Sequence, residues 1–251
     1  MATLSIRDGA MSEITNAEAI KQWSNAPQAF VENFGDEGDF TRRYLLNPVI
    51  FALLGDVTDK AILDAGCGQG YLSRLLARKG ATVTGIEPAE SWYRYAQQKE
   101  QAEHLGISYV QEDLSSCTLF SERFDYVIAN MVLMDIPDYK TALRNCVAAL
   151  KKGGGLLISL LHPCFEESGS AWAGKGYVAT HGYFGERVVP QSYAPLMHRP
   201  LSAYLNAIIQ AGCMLQQVIE PKLDEEIARQ HHCERYYHVP GYIVMYATKL
   251  L

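Results

Sequence analysis

The chain has 251 residues, 48% of them apolar and 20% charged, with a formal charge of −6. That length suits one α/β domain, and that apolar share fills a sizeable core. The acidic balance argues against a nucleic-acid partner, which calls for a basic face, and no run of about 18 apolar residues marks a membrane span.

The N-terminus carries neither an apolar signal core nor an Arg-rich transit pattern, so a cytoplasmic location is expected. Six cysteines, Cys67, Cys117, Cys146, Cys164, Cys213 and Cys233, are scattered without a C-x-x-C pair. They read as free thiols. His231, His232 and Cys233 are adjacent in sequence, a poor arrangement for tetrahedral coordination, and no metal is expected.

In chain order, residues 17–34 show helical spacing through Ala19, Ile20 and Trp23, then Phe30, Val31 and Phe34. Pro27 predicts a break into two short helices. After a polar turn at 35–39, the spacing of Tyr44, Leu45, Val49, Ile50, Leu53 and Leu54 predicts another amphipathic helix. Residues 1–58 are read as a helical cap on one domain spanning 1–251.

The middle alternates short apolar runs with amphipathic ones. Strands are predicted at 61–64, 81–86, 107–111, 124–130 and 155–161, and helices at 72–79, 91–105 and 138–150. Such alternation predicts a parallel sheet covered on both faces. Right-handed crossovers place the strand C-termini on one edge. Asp64, Glu87, Asp113 and Asn130 all fall at those ends, where ligands of open α/β sheets bind.

Residues 162–200 form a long connection rich in aromatics, including Phe165, Trp172, Tyr177, Tyr183, Phe184 and Tyr193. It is too apolar for a disordered tract and is read as a substrate-binding insertion, with a hairpin expected between Tyr177 and Gly185. An apolar flap that only shields the sheet is the alternative. Beyond it, a helix at 201–211 capped by Gly212, strands at 214–219 and 241–248, and a short helix at 223–230 are predicted.

The most telling stretch is ILDAGCGQGY, residues 62–71. An apolar run ends in Asp64, and Gly66, Gly68 and Gly70 follow at alternate positions. Three positions without a Cβ bring a ligand close to bare backbone, and a helix N-terminus follows. Asp64 would repel a pyrophosphate at that turn and attract an ammonium group. Glu87 stands about 20 residues on, where a ribose-binding carboxylate sits in mononucleotide folds. A ligand with a ribose, an amine and no phosphate satisfies both acids.

These residues resemble the class I S-adenosylmethionine-dependent methyltransferases. VTGIEP (83–88), EDL (112–114), FDYVIANMVLMDIPD (124–138) and LKKGGGLLISL (150–160) are similar to the family's later motifs, in order. The resemblance implies a Rossmann-like α/β fold with a mixed seven-stranded sheet, helices on both faces and a last strand entering antiparallel between its neighbours. It implies S-adenosyl-L-methionine as cofactor and S-adenosyl-L-homocysteine as product. Gly66, Cys67 and Gly68 would form the turn, Glu87 beside Pro88 would hold the ribose, and Asp113 would face the adenine amino group. The Leu114 backbone would face the ring, and Asn130 and Met131 the methionine part. Arg43 or Tyr44 would meet the cofactor carboxylate, the alternative being a solvated arginine pair and a core tyrosine.

The implied reaction moves a methyl group to oxygen, nitrogen or carbon of a small molecule. The strand continues as Asn130-Met131-Val132-Leu133, without the Asn/Asp-Pro-Pro-aromatic tetrad of enzymes that methylate bases or glutamine. If a base is needed, histidine is the natural choice. The candidates are His162, His181 and His198, against structural readings in which His162 orders a His-Pro turn and His198 anchors the following helix. Two other functions fit a glycine turn in an α/β sheet: an NAD(P)-dependent oxidoreductase, and a catalytically silent cofactor-binding partner protein. Oligomeric state is left open.

Overall fold

The computed structural model describes residues 14–118, 120–165, 182–191 and 193–251. Helices α1 (Asn16–Ser24) and α2 (Gln28–Glu32) are separated at Pro27, as the proline predicts. A capping box fixes the start of α1: Thr15 Oγ1 accepts from the Glu18 N–H while Glu18 reaches back to the Thr15 N–H. A π-helical turn, Arg42–Leu46, leads into α3, Asn47–Leu54.

Then follow β1 (Ala61–Ala65), α4 (Tyr71–Arg78), β2 (Thr82–Ile86), α5 (Glu90–Glu103), β3 (Ser108–Val110) and β4 (Phe124–Asn130). A 3-10 turn, Leu133–Asp135, precedes α6 (Tyr139–Ala149) and β5 (Leu150–Leu161). The C-terminal part comprises β6 (Arg187–Val189), β7 (Leu196–His198), α7 (Leu201–Gln210), β8 (Cys213–Ile219), α8 (Glu225–Gln230), α9 (Arg235–His238) and β9 (Tyr242–Lys249).

Seven strands form one sheet in the order β3-β2-β1-β4-β5-β9-β8. The pairs from β3 to β5 are parallel, and β9 runs antiparallel to both β5 and β8, as expected for the last strand. Side chains alternate across the sheet with period two. Leu63, Val127, Ala129, Leu156 and Ile158 face one core with α6 and α7, whereas Ile62, Ile128 and Leu157 face another with α3 and α4. Both faces of the central strands are therefore covered, as their unbroken apolar runs predict.

The hairpin lies further along than the sequence suggested. Residues 177–181 fall outside the described region, as does Trp172, while 182–185 make a tight turn. The strands that pair are β6 and β7, with Val188 opposite Met197 and Val189 opposite Leu196. Pro190 and Pro195 bound their connection, where neither can donate to a ladder.

Candidate active site

The glycine turn is pinned to the end of β2. Gly66 and Cys67 donate their N–H groups to the Ile86 carbonyl at 2.9 Å each, and the Gly68 N–H reaches Glu87 Oε2 at 2.9 Å. Gly66 has φ 73° and Gly68 φ 57°, in the left-handed region that glycine enters without steric cost. A Cβ at Gly66 would also run into the Val132 side chain. The turn is held to the N-terminal cap by the buried Arg74, whose guanidinium donates to the Gln69 carbonyl at 2.7 Å and to Asp36 at 3.2 Å.

A cavity of about 370 Å³ opens over the turn. It is of the size used for small-molecule ligands, roughly 300–1,000 Å³. Its floor is the C-terminal edge of β1, β2 and β4, and its roof is α1 and α2. Asp64, Gly66, Cys67, Gly68, Glu87, Pro88, Asp113, Leu114, Asn130 and Met131 all line it, so the topology brings these sequence-selected residues to one place. Trp92 on α5 stands edge-on to Trp23, Phe30 and Phe34, with ring centroids 5.8, 5.9 and 5.3 Å away. Phe30 in turn meets Tyr193, 4.4 Å between centroids.

The charge around this cavity is one-sided. Among the described residues five carboxyl groups line it, Asp39, Asp64, Glu87, Asp113 and Asp135, against one guanidinium, Arg42. Asp64 is 1% exposed and accepts from Ser73 Oγ at 2.6 Å. Burial pushes its pKa up to about 6, the Ser73 hydrogen bonds opposing. Burial likewise lifts Glu87 to about 7, against the N–H groups of Ala89 and Gly68 that its two oxygens accept. A cationic ligand would return both acids to their ionised form.

The end of β4 is held by a buried polar chain. Ser159 Oγ donates to Asn130 Oδ1 at 2.6 Å, Asn130 Nδ2 to the Tyr71 hydroxyl at 2.7 Å, and that hydroxyl to Asn47 Oδ1 at 3.2 Å. Met131 follows at φ 60°, a left-handed conformation that costs a non-glycine residue on the order of 1–3 kcal/mol. Its N–H, 3.0 Å from both Ser159 O and Ser159 Oγ, holds it there.

Four of the expected site residues lie elsewhere. Arg43 points outward and pairs with Glu37 at 3.0 Å, and Tyr44 packs against Phe40 and His231. Arg42 takes the cavity position instead, with its guanidinium 2.6 Å from Asp39 and 4.6 Å from the Phe34 ring centroid. The resemblance points to Arg43 or Tyr44; the chain here runs through a π turn at 42–46, and Arg42 is the arginine that lines the cavity. His162 is buried beneath the cavity wall. The Cys164 N–H donates to its Nδ1 at 3.2 Å, which leaves the ring proton on Nε2, 2.8 Å from Glu220 Oε1. These bonds order the His-Pro turn after β5. His198, buried in β7, has Nε2 2.9 Å from the Tyr183 carbonyl and borders a separate cavity of about 260 Å³. His181 lies outside the described residues. Among the described residues, no group of His, Cys, Asp and Glu side chains has the arrangement of a metal site.

Sequence reasoning missed Asp39, Arg42, Tyr71, Trp92 and Asp135. Asp135 had a usable signal: it lies five residues after Asn130, in a segment already singled out for its match to the fourth-strand motif.

The protein-family profile for the methyltransferase domain matches residues 63–158, the stretch that carries these features. A ubiquinone biosynthesis O-methyltransferase from Coxiella burnetii (strain Dugway 5J108-111) is 33% identical over 149 residues. That match covers 56% of this chain and 64% of the relative, so it spans less than two thirds of the curated protein. Among solved structures, an S-adenosylmethionine-dependent methyltransferase from Mesorhizobium loti superposes with a TM-score of 0.73 at 25% identity, over 80% of this chain and 96% of that one. The [4+2]-cyclase SpnF shares the fold with a TM-score of 0.65 at 16% identity, over 97% of this chain and 100% of that one. Residues 63–158 thus match the methyltransferase domain profile, and the fold is similar to that of S-adenosylmethionine-dependent methyltransferases of known structure.

Proposed function

We propose that this protein moves a methyl group from S-adenosylmethionine to an oxygen of a small molecule with an apolar, ring-bearing body. The observation that carries the reading is the lining of the cavity, where the described residues set five carboxyl groups and one guanidinium around an aromatic wall. That balance suits a ligand with two cationic centres and one carboxylate, and it disfavours the pyrophosphate of a nicotinamide dinucleotide. The choice of oxygen rests on the name of the curated relatives.

The residues present fit the cofactor. Each Glu87 oxygen takes one backbone N–H, which leaves lone pairs for the two ribose hydroxyls. Asp64 suits the ammonium group and Arg42 the carboxylate, in the role first expected of Arg43 or Tyr44. Ala89, Trp92 and Leu114 offer an apolar slot for the adenine. Asp113 stands beside it, already accepting from Ser115 N–H at 2.9 Å and from Asn16 Nδ2 at 3.1 Å. When bound, S-adenosylmethionine would supply an electrophilic methyl carbon, its bond to sulfur exchanged for one to the acceptor oxygen and the hydroxyl proton released to solvent. The chain has little covalent work to do: it positions, excludes water and offers aromatic faces to positive charge.

Calorimetry with S-adenosylhomocysteine and with NADH tests the reading. Binding of the thioether and neglect of NADH support it, and the reverse overturns it. Transfer of label from methyl-labelled donor into hydroxylated aromatic compounds separates an enzyme from a silent binding protein, or from a fold relative with other chemistry such as the cyclase. Among the described residues no helix is long and apolar enough to cross a membrane. Six free thiols, four of them buried, fit the reducing cytoplasm proposed for it.

A further inference from the structure

Of the five carboxyl groups around the cavity, four have partners within the chain. Asp39 accepts from Thr41 and Arg42, Asp64 from Ser73, Glu87 from Gly68 and Ala89, and Asp113 from Ser115 and Asn16. The Asp135 carboxyl has none among the described residues, although it faces the same partly dehydrated space. Its oxygens keep some solvent access, so they are open to a hydrogen bond from a ligand group entering the cavity.

The turn that carries Asp135 is held in place. Arg199, 4% exposed, donates to the carbonyls of Leu133, Ile136 and Pro137 at 3.1, 2.8 and 3.0 Å. Its guanidinium also lies 4.1 Å from the Tyr139 ring centroid. Three carbonyls on one buried guanidinium fix the backbone on both sides of Asp135, a preorganised support for a recognition group.

We propose that Asp135 is the acceptor-recognition residue: its carboxyl takes the hydrogen bond of the acceptor's hydroxyl and orients that oxygen. This rests on the methyltransferase reading above, which assigns Asp64, Glu87, Asp113 and Arg42 to the cofactor, leaves Asp39 paired with Arg42, and leaves Asp135 for the second molecule. Met134, Ile136, Leu161 and Leu196 border the cavity near it in sequence or across the sheet edge and suit an apolar ring. The charged groups that bear on it are Arg42, Glu87 and Arg199. Burial outweighs both arginines and lifts its pKa to about 8, so the group meets the acceptor largely as a neutral carboxyl, which suits an uncharged hydroxyl.

The test is competitive calorimetry on full-length protein saturated with S-adenosylhomocysteine, comparing catechol with 1,2-dimethoxybenzene, which keeps the ring and lacks the hydroxyl. Wild-type protein should bind catechol at least about tenfold more tightly, since a site built for a hydroxyl leaves its own polar group unpaired with the ether. In Asp135→Ala the ratio should fall within about twofold of unity while affinity for S-adenosylhomocysteine stays within about twofold of wild type. Asp135→Asn, which keeps an acceptor oxygen in place, should give an intermediate ratio and stands in if the alanine variant misfolds. A wild-type ratio near unity, or the same ratio in wild type and variants, overturns the inference. A loss of S-adenosylhomocysteine affinity in folded Asp135→Ala also overturns it, by moving Asp135 to the cofactor. If wild-type protein fails to bind S-adenosylhomocysteine, the methyltransferase reading itself has failed.

Discussion

The Tyr71 hydroxyl sits 2.7 Å from Asn130 Nδ2, joining the first residue of α4 to the last residue of β4. One bond thus couples the helix after the glycine turn to the strand end that supplies Asn130 and Met131 to the cavity. Tyr71→Phe removes it and strands a buried amide, at a cost of about 1–3 kcal/mol. Denaturant midpoints should fall accordingly, and S-adenosylhomocysteine should bind more weakly. Unchanged values for both would show that the two elements hold their places independently.

The two neighbouring arginines should separate cleanly. Arg42→Ala is expected to weaken S-adenosylhomocysteine binding about tenfold or more, because it removes the one cation that lines the cavity among the described residues. Arg43→Ala breaks an exposed pair with Glu37 and should change affinity by less than about twofold. Equal effects in calorimetry would reject the assignment.

Asp64→Ala should leave the circular dichroism spectrum intact and lower S-adenosylhomocysteine affinity by at least about tenfold. Wild-type affinity in the variant would remove Asp64 from the amine site.

Affinity should also depend on pH. Burial raises the Asp64 carboxyl to about 6 and the Glu87 carboxyl to about 7. A ligand bearing an ammonium group prefers them ionised, so below those values binding must displace protons. The expected outcome is affinity that weakens as pH falls from about 8 to 5, with proton release near pH 6–7 visible as buffer-dependent heats. Flat affinity across that range would refute the linkage.

His162→Ala should act on stability rather than on the ligand. It deletes the bonds to Cys164 and Glu220 that order the turn after β5, and a loss of about 1–3 kcal/mol is expected. Intact stability with abolished S-adenosylhomocysteine binding would return the histidine to the site.

The sheet and the cofactor floor were legible because short unbroken apolar runs and glycines act locally. Ile62, Val127 and Leu157 announce a buried strand wherever they occur, and Asp64 and Glu87 stand at strand ends whose location follows from chain topology alone. The acceptor side was less legible. Arg42 and Arg43 are equivalent in composition, and only the π turn decides which one faces inward. His162 looked suitable because it leaves a central strand at its C-terminal end, yet its ring is turned toward Glu220, 58 residues away in sequence. Asp135 gained its meaning from what surrounds it, the buried Arg199 and a shortage of donors, and neither can be read from a linear string.

Asn16 holds three positions at once. Its Nδ2 donates to Asp113 Oδ2 at 3.1 Å and to Ser115 Oγ at 2.6 Å, while its Oδ1 accepts from the Asp138 N–H at 2.9 Å. A single amide at the start of α1 therefore clasps the loops after β3 and before α6. Losing that one amide would free α1, a wall of the cavity, from both loops at once.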